Sequence, residues 1–287
     1  MYAYLQKEKA IELISLALSE DVGDGDHSSL ASIPEDKVHT AFLLVKEKGI
    51  LAGVEAAMWV CELVDSSLHF SKILKDGDFV SYGDIAFEIH GNSRSILKAE
   101  RVLLNIMQRM SGIATYAHSL VARVSHTKAK LLDTRKTTPN FRLFEKWAVK
   151  IGGGVNHRYG LFDMIMLKDN HVDVAGGIKQ ALLNTKEYLF HTGKELEIEV
   201  EIRNLEELDQ LLNVSEVPVK RVMFDNMPIE MLHEAIKRVG SAMETEISGG
   251  VTEDTLVPLA ETGVDFISIG KLTHSIKSLD LSLKAKK

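Results

Sequence analysis

Apolar and polar positions divide this chain into two rhythms. Residues 5–20 mix apolar side chains with Lys7, Glu8, Lys9 and Glu12, which predicts an amphipathic helix. The turn-rich run Glu20-Asp21-Val22-Gly23-Asp24-Gly25-Asp26 ends it. From 38 to 92 the pattern is short and β-rich. It predicts strands at 38–45, 49–53, 68–74, 79–82 and 85–90, with a helix near 54–64 among them. Asp76-Gly77-Asp78 and Gly83-Asp84 supply turns. Residues 94–110 form a longer helical pattern, with Ile96, Leu97, Leu103, Leu104, Ile106 and Met107 on one broad face.

After about residue 113, apolar strands alternate with amphipathic helices. The strands fall at 129–133, 162–167, 196–200, 221–224, 242–247 and 265–269. Each leads to a polar or glycine position: Arg135, Lys168, Glu201, Asp225, Ser248 and Gly270. The steps between these positions are 33, 33, 24, 23 and 22 residues, the spacing of βα units, which build a parallel sheet. The predicted fold is therefore α/β: an N-terminal α+β domain over 1–112, then an incomplete α/β barrel of parallel strands from 113. A doubly wound sheet is the second choice, because no dinucleotide-binding fingerprint accompanies the repeats. In such barrels the chemistry gathers at the C-terminal ends of the strands, so these six positions would face one mouth.

Charge sharpens this picture. The chain carries a net charge of −7, yet residues 128–171 hold nine Lys/Arg against four Asp/Glu. Net acidity argues against nucleic acid as the main partner. Cations gathered at strand ends instead suit a compact polyanion, held by converging charge-assisted donors. Arg135 and Arg158 can each grip a carboxylate or phosphate with two bonds, Lys136 and Lys168 act as point charges, and His157 can donate to an anion or move a proton. Gly152-Gly153-Gly154 permits close approach. Cys61 is the single cysteine, so no intramolecular disulfide forms, and its apolar setting predicts a buried, inert thiol. No apolar run approaches a membrane span, and a reducing cytoplasm is the expected compartment.

The last two strands end in Ser248-Gly249-Gly250 and Ser268-Ile269-Gly270, each before a helix start. Glycine backbone and helix N-termini suit a phosphate there. Glu201 and Asp225 end the two preceding strands. A carboxylate pair beside a phosphate site suggests Mg²⁺, or stabilisation of a cationic, sugar-like transition state. Glu197, Glu199 and Glu201 share one strand face, and position favours Glu201.

These residues also carry a resemblance. Glu100-Arg101, Ser111-Gly112-Ile113-Ala114-Thr115, Thr134-Arg135-Lys136-Thr137-Thr138-Pro139, Asn156-His157-Arg158-Tyr159-Gly160-Leu161 and Lys168-Asp169-Asn170-His171 resemble quinolinate phosphoribosyltransferases. So do Val200-Glu201, Asp225-Asn226, Ser248-Gly249-Gly250 and Ser268-Ile269-Gly270, and the likeness covers nearly the whole chain. Asn140 stands where the family usually has glycine.

The resemblance implies that a C-terminal tail, 275–287, rejoins the N-terminal domain and that the barrel domain spans 113–274. It implies a homodimer with the active site shared between subunits. The implied reaction joins quinolinate to phosphoribosyl diphosphate with Mg²⁺, releasing diphosphate and CO₂ and giving nicotinate mononucleotide, a step of NAD synthesis. Arg135, His157, Arg158 and Lys168 would then hold the quinolinate carboxylates, with Thr134 beside them and Arg101 reaching in from the partner. Lys136 would contact the phosphoribosyl donor, and Glu201 and Asp225 the ribose and the Mg²⁺-diphosphate. Ser248, Gly249, Gly250 and Gly270 would bind the 5-phosphate. The rival from a different class is a barrel lyase using Lys168 as a Schiff-base amine.

Overall fold

The computed structural model describes residues 6–286. Its contacts divide the chain into two compact units. The first comprises residues up to Ser119, Lys136–Gly154, and Lys271 onward; the second comprises Leu120–Arg135 and Val155–Gly270.

In the first unit, helix α1 (Lys7–Val22) precedes a short helix α2 (His27–Ser32) that the turn-rich sequence concealed. Asp26 caps α2 by accepting from the Ser29 amide at 3.1 Å and from the Ser29 hydroxyl at 2.5 Å. Strand β1 (Val38–Val45), β2 (Gly49–Ile50), helix α3 (Val54–Val64), β3 (His69–Lys72), β4 (Phe79–Val80) and β5 (Ile85–Asn92) follow the expected order. Cys61 lies buried on α3, and burial pushes its thiol up to about 12, so it is inert at neutral pH.

Helix α4 (Ser93–Val124) is nearly twice as long as the pattern over 94–110 suggested. Its buried face continues through Met110, Ile113, Ala114, Ala117, Leu120 and Val124. Gly112 does not break it, because the glycine serves packing: a Cβ there would lie 2.3 Å from the Lys277 carbonyl. Leu97, expected on the apolar face, is 39% exposed. It starts a solvent-facing stripe that continues four residues on with Arg101 and again with Asn105.

The second unit is built on β6 (Lys130–Leu132). Helix α5 (Arg142–Ile151) intervenes in sequence but packs within the first unit. Then come β7 (Ile165–Leu167), α6 (Asp169–Ala175), α7 (Ile178–Thr192), β8 (Ile198–Ile202), α8 (Leu205–Leu212) and β9 (Arg221–Asp225). Helix α9 (Ile229–Val239), β10 (Glu244–Ser248), α10 (Glu253–Glu261) and β11 (Phe266–Ser268) complete it. A single-turn α11 (Lys271–His274) and β12 (Leu281–Ala285) return the chain to the first unit, where β12 pairs antiparallel with β1. That sheet runs β12-β1-β5-β3.

The six strands of the second unit are parallel and ordered β6-β11-β10-β9-β8-β7. No ladder joins β6 to β7, so the α/β barrel is incomplete; a single bridge from Leu132 to Val155 lies at that opening. Successive side chains alternate between the two faces of each strand. One face carries Ile198, Val200 and Ile202 of β8 with Val222 and Phe224 of β9, all buried and apolar. The other carries Glu199, Glu201, Arg221, Glu246 and Ser268. Among the described residues, no helix is long and apolar enough to cross a membrane.

Candidate active site

Strand register decides which side chains meet. The β7–β8 ladder pairs Leu167 with Val200, so the next residues, Lys168 and Glu201, stand level. The Lys168 ammonium and the Glu201 carboxylate form an ion pair. Glu201 is inside β8 rather than after it, because Ile202 still pairs with Phe224 of β9. Helix α6 begins immediately after Lys168, and the His171 ring accepts the Lys168 backbone N–H at 2.9 Å. The lysine is therefore placed by strand, helix start and carboxylate together.

Asp225 and Ser248 are the last residues of β9 and β10 and face each other in the ladder. Asn226 links them. Its backbone N–H donates to the Ser248 carbonyl at 2.9 Å, and its side-chain amide donates to Asp225 at 2.9 Å. Asn226 adopts φ of 50°, a left-handed conformation that asparagine tolerates better than most residues. Gly249 and Gly250 are left-handed too, at φ of 84° and 59°. A Cβ on Gly249 would lie 2.4 Å from the Asn226 side chain. We expect Gly249→Ala to move Asn226 and raise the KM for a phosphate-bearing substrate by on the order of tenfold or more, since strain at such positions costs about 1–3 kcal/mol. Unchanged steady-state kinetics would remove this turn from the site.

The helix starts contribute less positive potential than expected. Helix α10 is capped by Thr252 and opens with Glu253 and Asp254, whose charges oppose an anion, and α11 is one turn long. The glycine turns themselves offer backbone amides at these strand ends.

Beneath the strand ends lies a buried ionic cluster. His157 is 8% exposed, and its Nε2 is 3.0 Å from Glu199 and 3.5 Å from Glu246, both with no exposure. Arg221 donates to Glu246 at 2.8 Å and to Glu244 at 2.9 Å, and Lys220 lies 3.2 Å from Glu244. The Arg158 backbone nitrogen lies 2.7 Å from His157 Nδ1, and Nε2 faces Glu199. Burial alone would lower the imidazole pKa, but the two glutamates outweigh it and hold it at about 9. Glu199 is itself pushed up, by burial first and then by Glu246. The His157–Glu199 contact therefore retains a proton at neutral pH. His157 bridges Glu199 of β8 and Glu246 of β10 across β9.

Asp133, fully buried, anchors the segment carrying these residues. It accepts from the His157 backbone N–H at 2.9 Å and from the Asn156 side chain. Arg158 is half-buried, and its guanidinium reaches the Met164 carbonyl at 3.2 Å. Burial first, then the nearby positive charge of Arg135, lowers its pKa. Two guanidinium groups that feel each other's charge make a site that an anion would relieve. A cleft of about 430 Å³ runs along the edge strand β7, with Arg158, Met164, Met166, His171 and Tyr188 in its wall.

Thr134 is half-buried, Arg135 is exposed, and both lie just beyond β6. Lys136, Thr137 and Thr138 continue this loop in the first unit. Asn140 has φ of 60°, the conformation a glycine would take at no cost. Gly270 lies two residues past β11, whose Ser268 hydroxyl approaches the Ile247 carbonyl at 3.4 Å. Arg101 belongs to the first unit and is exposed on α4.

The roles of Asp133, Glu199, Glu246 and Asn226 escaped the sequence reading. Glu199 offered a weak signal through its alternation with Glu201. Glu246 offered another, as a carboxylate two residues before a strand end.

Residues 26–111 match the family described as "Quinolinate phosphoribosyl transferase, N-terminal domain", and residues 113–284 match its "C-terminal domain". The chain belongs to the quinolinate phosphoribosyltransferase family. It is 48% identical to a chloroplastic carboxylating nicotinate-nucleotide pyrophosphorylase of Arabidopsis thaliana, across 95% of this chain and 81% of that protein. It is 39% identical to a probable carboxylating nicotinate-nucleotide pyrophosphorylase of Bacillus subtilis, across 98% of this chain and 93% of that one. The solved nicotinate-nucleotide pyrophosphorylase of Francisella tularensis superposes with a TM-score of 0.88 at 38% identity, covering 98% of both chains. Membership of this family, with Lys168 in an ion pair with Glu201, removes the basis of the Schiff-base reading.

Glu201 and Asp225 fit Mg²⁺ chemically as hard oxygen donors. Two carboxylates are too few for an all-protein cage, which matches the preference of Mg²⁺ for retaining water and binding substrate phosphates. Among the described residues, the one group of three metal-type ligands is His157, Glu199 and Glu246, already engaged with one another and with Arg221.

Proposed function

We propose that this protein transfers a phosphoribosyl group from phosphoribosyl diphosphate to quinolinate with decarboxylation, in NAD biosynthesis. The observation that carries this reading is the pairing of basic and acidic groups at the strand ends of a member of this family. Arg135, Arg158 and Lys168 offer cations for a dicarboxylate, while Glu201, Asp225 and the glycine turns suit a phosphorylated sugar.

The chemistry follows from charge. As diphosphate leaves C1 of the ribose, that carbon becomes cationic, and the carboxylates of Glu201 and Asp225 favour it. The quinolinate ring nitrogen forms the new bond to C1 and becomes a pyridinium. The C2–carboxylate bond then breaks, CO₂ departs, its electron pair remains on the ring carbon, and that carbon takes a proton. Arg135, Arg158 and Lys168 orient the carboxylates; His157, which the resemblance counts with them, is instead buried against Glu199 and Glu246 and supports the Arg158 segment. Thr134 lies beside this grip, and Lys136 meets the donor. Ser248, Gly249, Gly250 and Gly270 hold the 5-phosphate. Mg²⁺ beside Glu201 and Asp225 would neutralise charge on the departing diphosphate.

The working form is a homodimer in which Arg101, on the exposed stripe of α4, completes the partner's site. A reducing cytoplasm suits the lone buried Cys61.

Acceptor choice tests the reading. Nicotinate lacks the C2 carboxylate, so quinolinate should exceed it in kcat/KM by on the order of a hundredfold or more, as when a buried polar site loses its partner. Equal use of the two acceptors would contradict the dicarboxylate grip.

A further inference from the structure

The loop carrying Lys136 is tied down at three consecutive residues. The Thr273 hydroxyl donates to the Lys136 carbonyl at 2.8 Å. The Arg142 guanidinium donates to the Thr137 hydroxyl at 2.9 Å. Thr138 donates twice to Glu145, through its backbone N–H at 3.0 Å and its hydroxyl at 2.9 Å.

Glu145 and Thr273 have no solvent exposure, whereas Lys136 itself is exposed. Glu145 also accepts from Arg109 Nε at 3.0 Å and Nη2 at 2.8 Å. The same guanidinium bonds the backbone carbonyls of Thr273 and of Ile276, the latter at 3.2 Å. One ion pair, with its glutamate fully buried, thus joins α4, α5, α11 and the Lys136 loop. All these groups belong to the first unit.

Exposed loops ordinarily move, and a point charge on a moving loop binds poorly because ordering it costs entropy. A buried carboxylate is also costly unless its lone pairs are filled. Here they are filled by the loop and by the arginine that fixes the loop's other support.

We infer that Glu145 and Thr273 are positioning residues that fix the backbone on which Lys136 is presented to the phosphoribosyl donor. This rests on the proposed contact between Lys136 and the donor. Neither residue need touch substrate. Their contribution should appear in donor binding, leaving quinolinate binding nearly unchanged.

Thr273→Val and Thr273→Ser separate the possibilities. Valine keeps the size of threonine and removes the hydroxyl; serine keeps the hydroxyl. Thr273→Val should raise the KM for phosphoribosyl diphosphate on the order of fivefold, the effect of one ordinary hydrogen bond. The KM for quinolinate should stay within about twofold, and Thr273→Ser should restore the donor KM. Glu145→Gln should give the same donor-specific signature more strongly, and if it fails to fold, the Thr273 pair still decides. A lower Tm with both KM values unchanged, or a parallel rise in both, would overturn the inference. Lys136→Ala provides the reference. If it leaves the donor KM unaltered, the reading of Lys136 falls, and this inference with it. If it raises the donor KM while Thr273→Val does not, only the inference falls.

Discussion

Lys168→Ala subunits and Arg101→Ala subunits are each expected to be nearly inactive, while a mixture of the two should regain activity. Lys168 is placed at the strand end by the β7–β8 register, by Glu201 and by its position before α6. Removing a positioned charge from such a site typically costs on the order of a hundred- to a thousandfold in rate. Arg101 lies on the exposed stripe of α4 with Leu97, where a partner can meet it. In a mixed dimer with site sharing, one site carries both lesions and the other carries neither. Random reassociation should therefore restore about a quarter of wild-type activity, because half the dimers are mixed and each has one sound site. Activity that stays at background after mixing, with mixed dimers verified by mass, would place Arg101 outside the partner's site.

His157→Leu is expected to destabilise the protein severely. Leucine would leave Glu199 and Glu246, both fully buried, facing a side chain with no proton to offer. Breaking a buried pair in this way costs about 3–5 kcal/mol, enough to lower the Tm by many degrees. The same cluster gives a pH signature. The folded-state imidazole pKa, at about 9, lies above the unfolded value of 6.5. The corresponding stability is therefore fully present below the unfolded pKa and is lost as pH rises through about 9. Glu199, also raised, acts in the same direction. Tm should fall between neutral pH and pH about 9.5 more steeply in the wild-type protein than in any His157 variant that still folds. Parallel Tm–pH curves would show that the cluster keeps no proton of its own.

Much of the fold was legible because its signals are local. The change from short β-rich segments to 22–33-residue βα steps marked the onset of the parallel sheet, and each expected strand there overlaps an observed one. The length of α4 was not legible, because Ser111-Gly112 reads as a break. Only the tertiary contact with Lys277 shows that Gly112 serves packing inside a continuous helix. Helix α2 was hidden because Asp26 and Ser29 resemble turn residues when their capping geometry is unseen.

The site divides along the same line. Lys168, Glu201, Asp225 and Ser248 stood out because strand ends can be found by spacing. Glu199 and Glu246 did not, because their partner His157 is 42 and 89 residues away in sequence, and only the order of the strands brings the three together. Asn226 was visible as part of a motif, but its packing against Gly249 depends on two left-handed residues just past the ends of neighbouring strands.

In the proposed reaction, phosphoribosyl transfer and loss of one quinolinate carboxylate are parts of a single turnover. Incubating the protein with phosphoribosyl diphosphate, Mg²⁺ and quinolinate labelled with carbon-13 in the C2 carboxylate tests it most directly. The expected result is labelled CO₂ and diphosphate in equal amounts, with an unlabelled mononucleotide. Retention of the label in the mononucleotide, or no product at all, would contradict it.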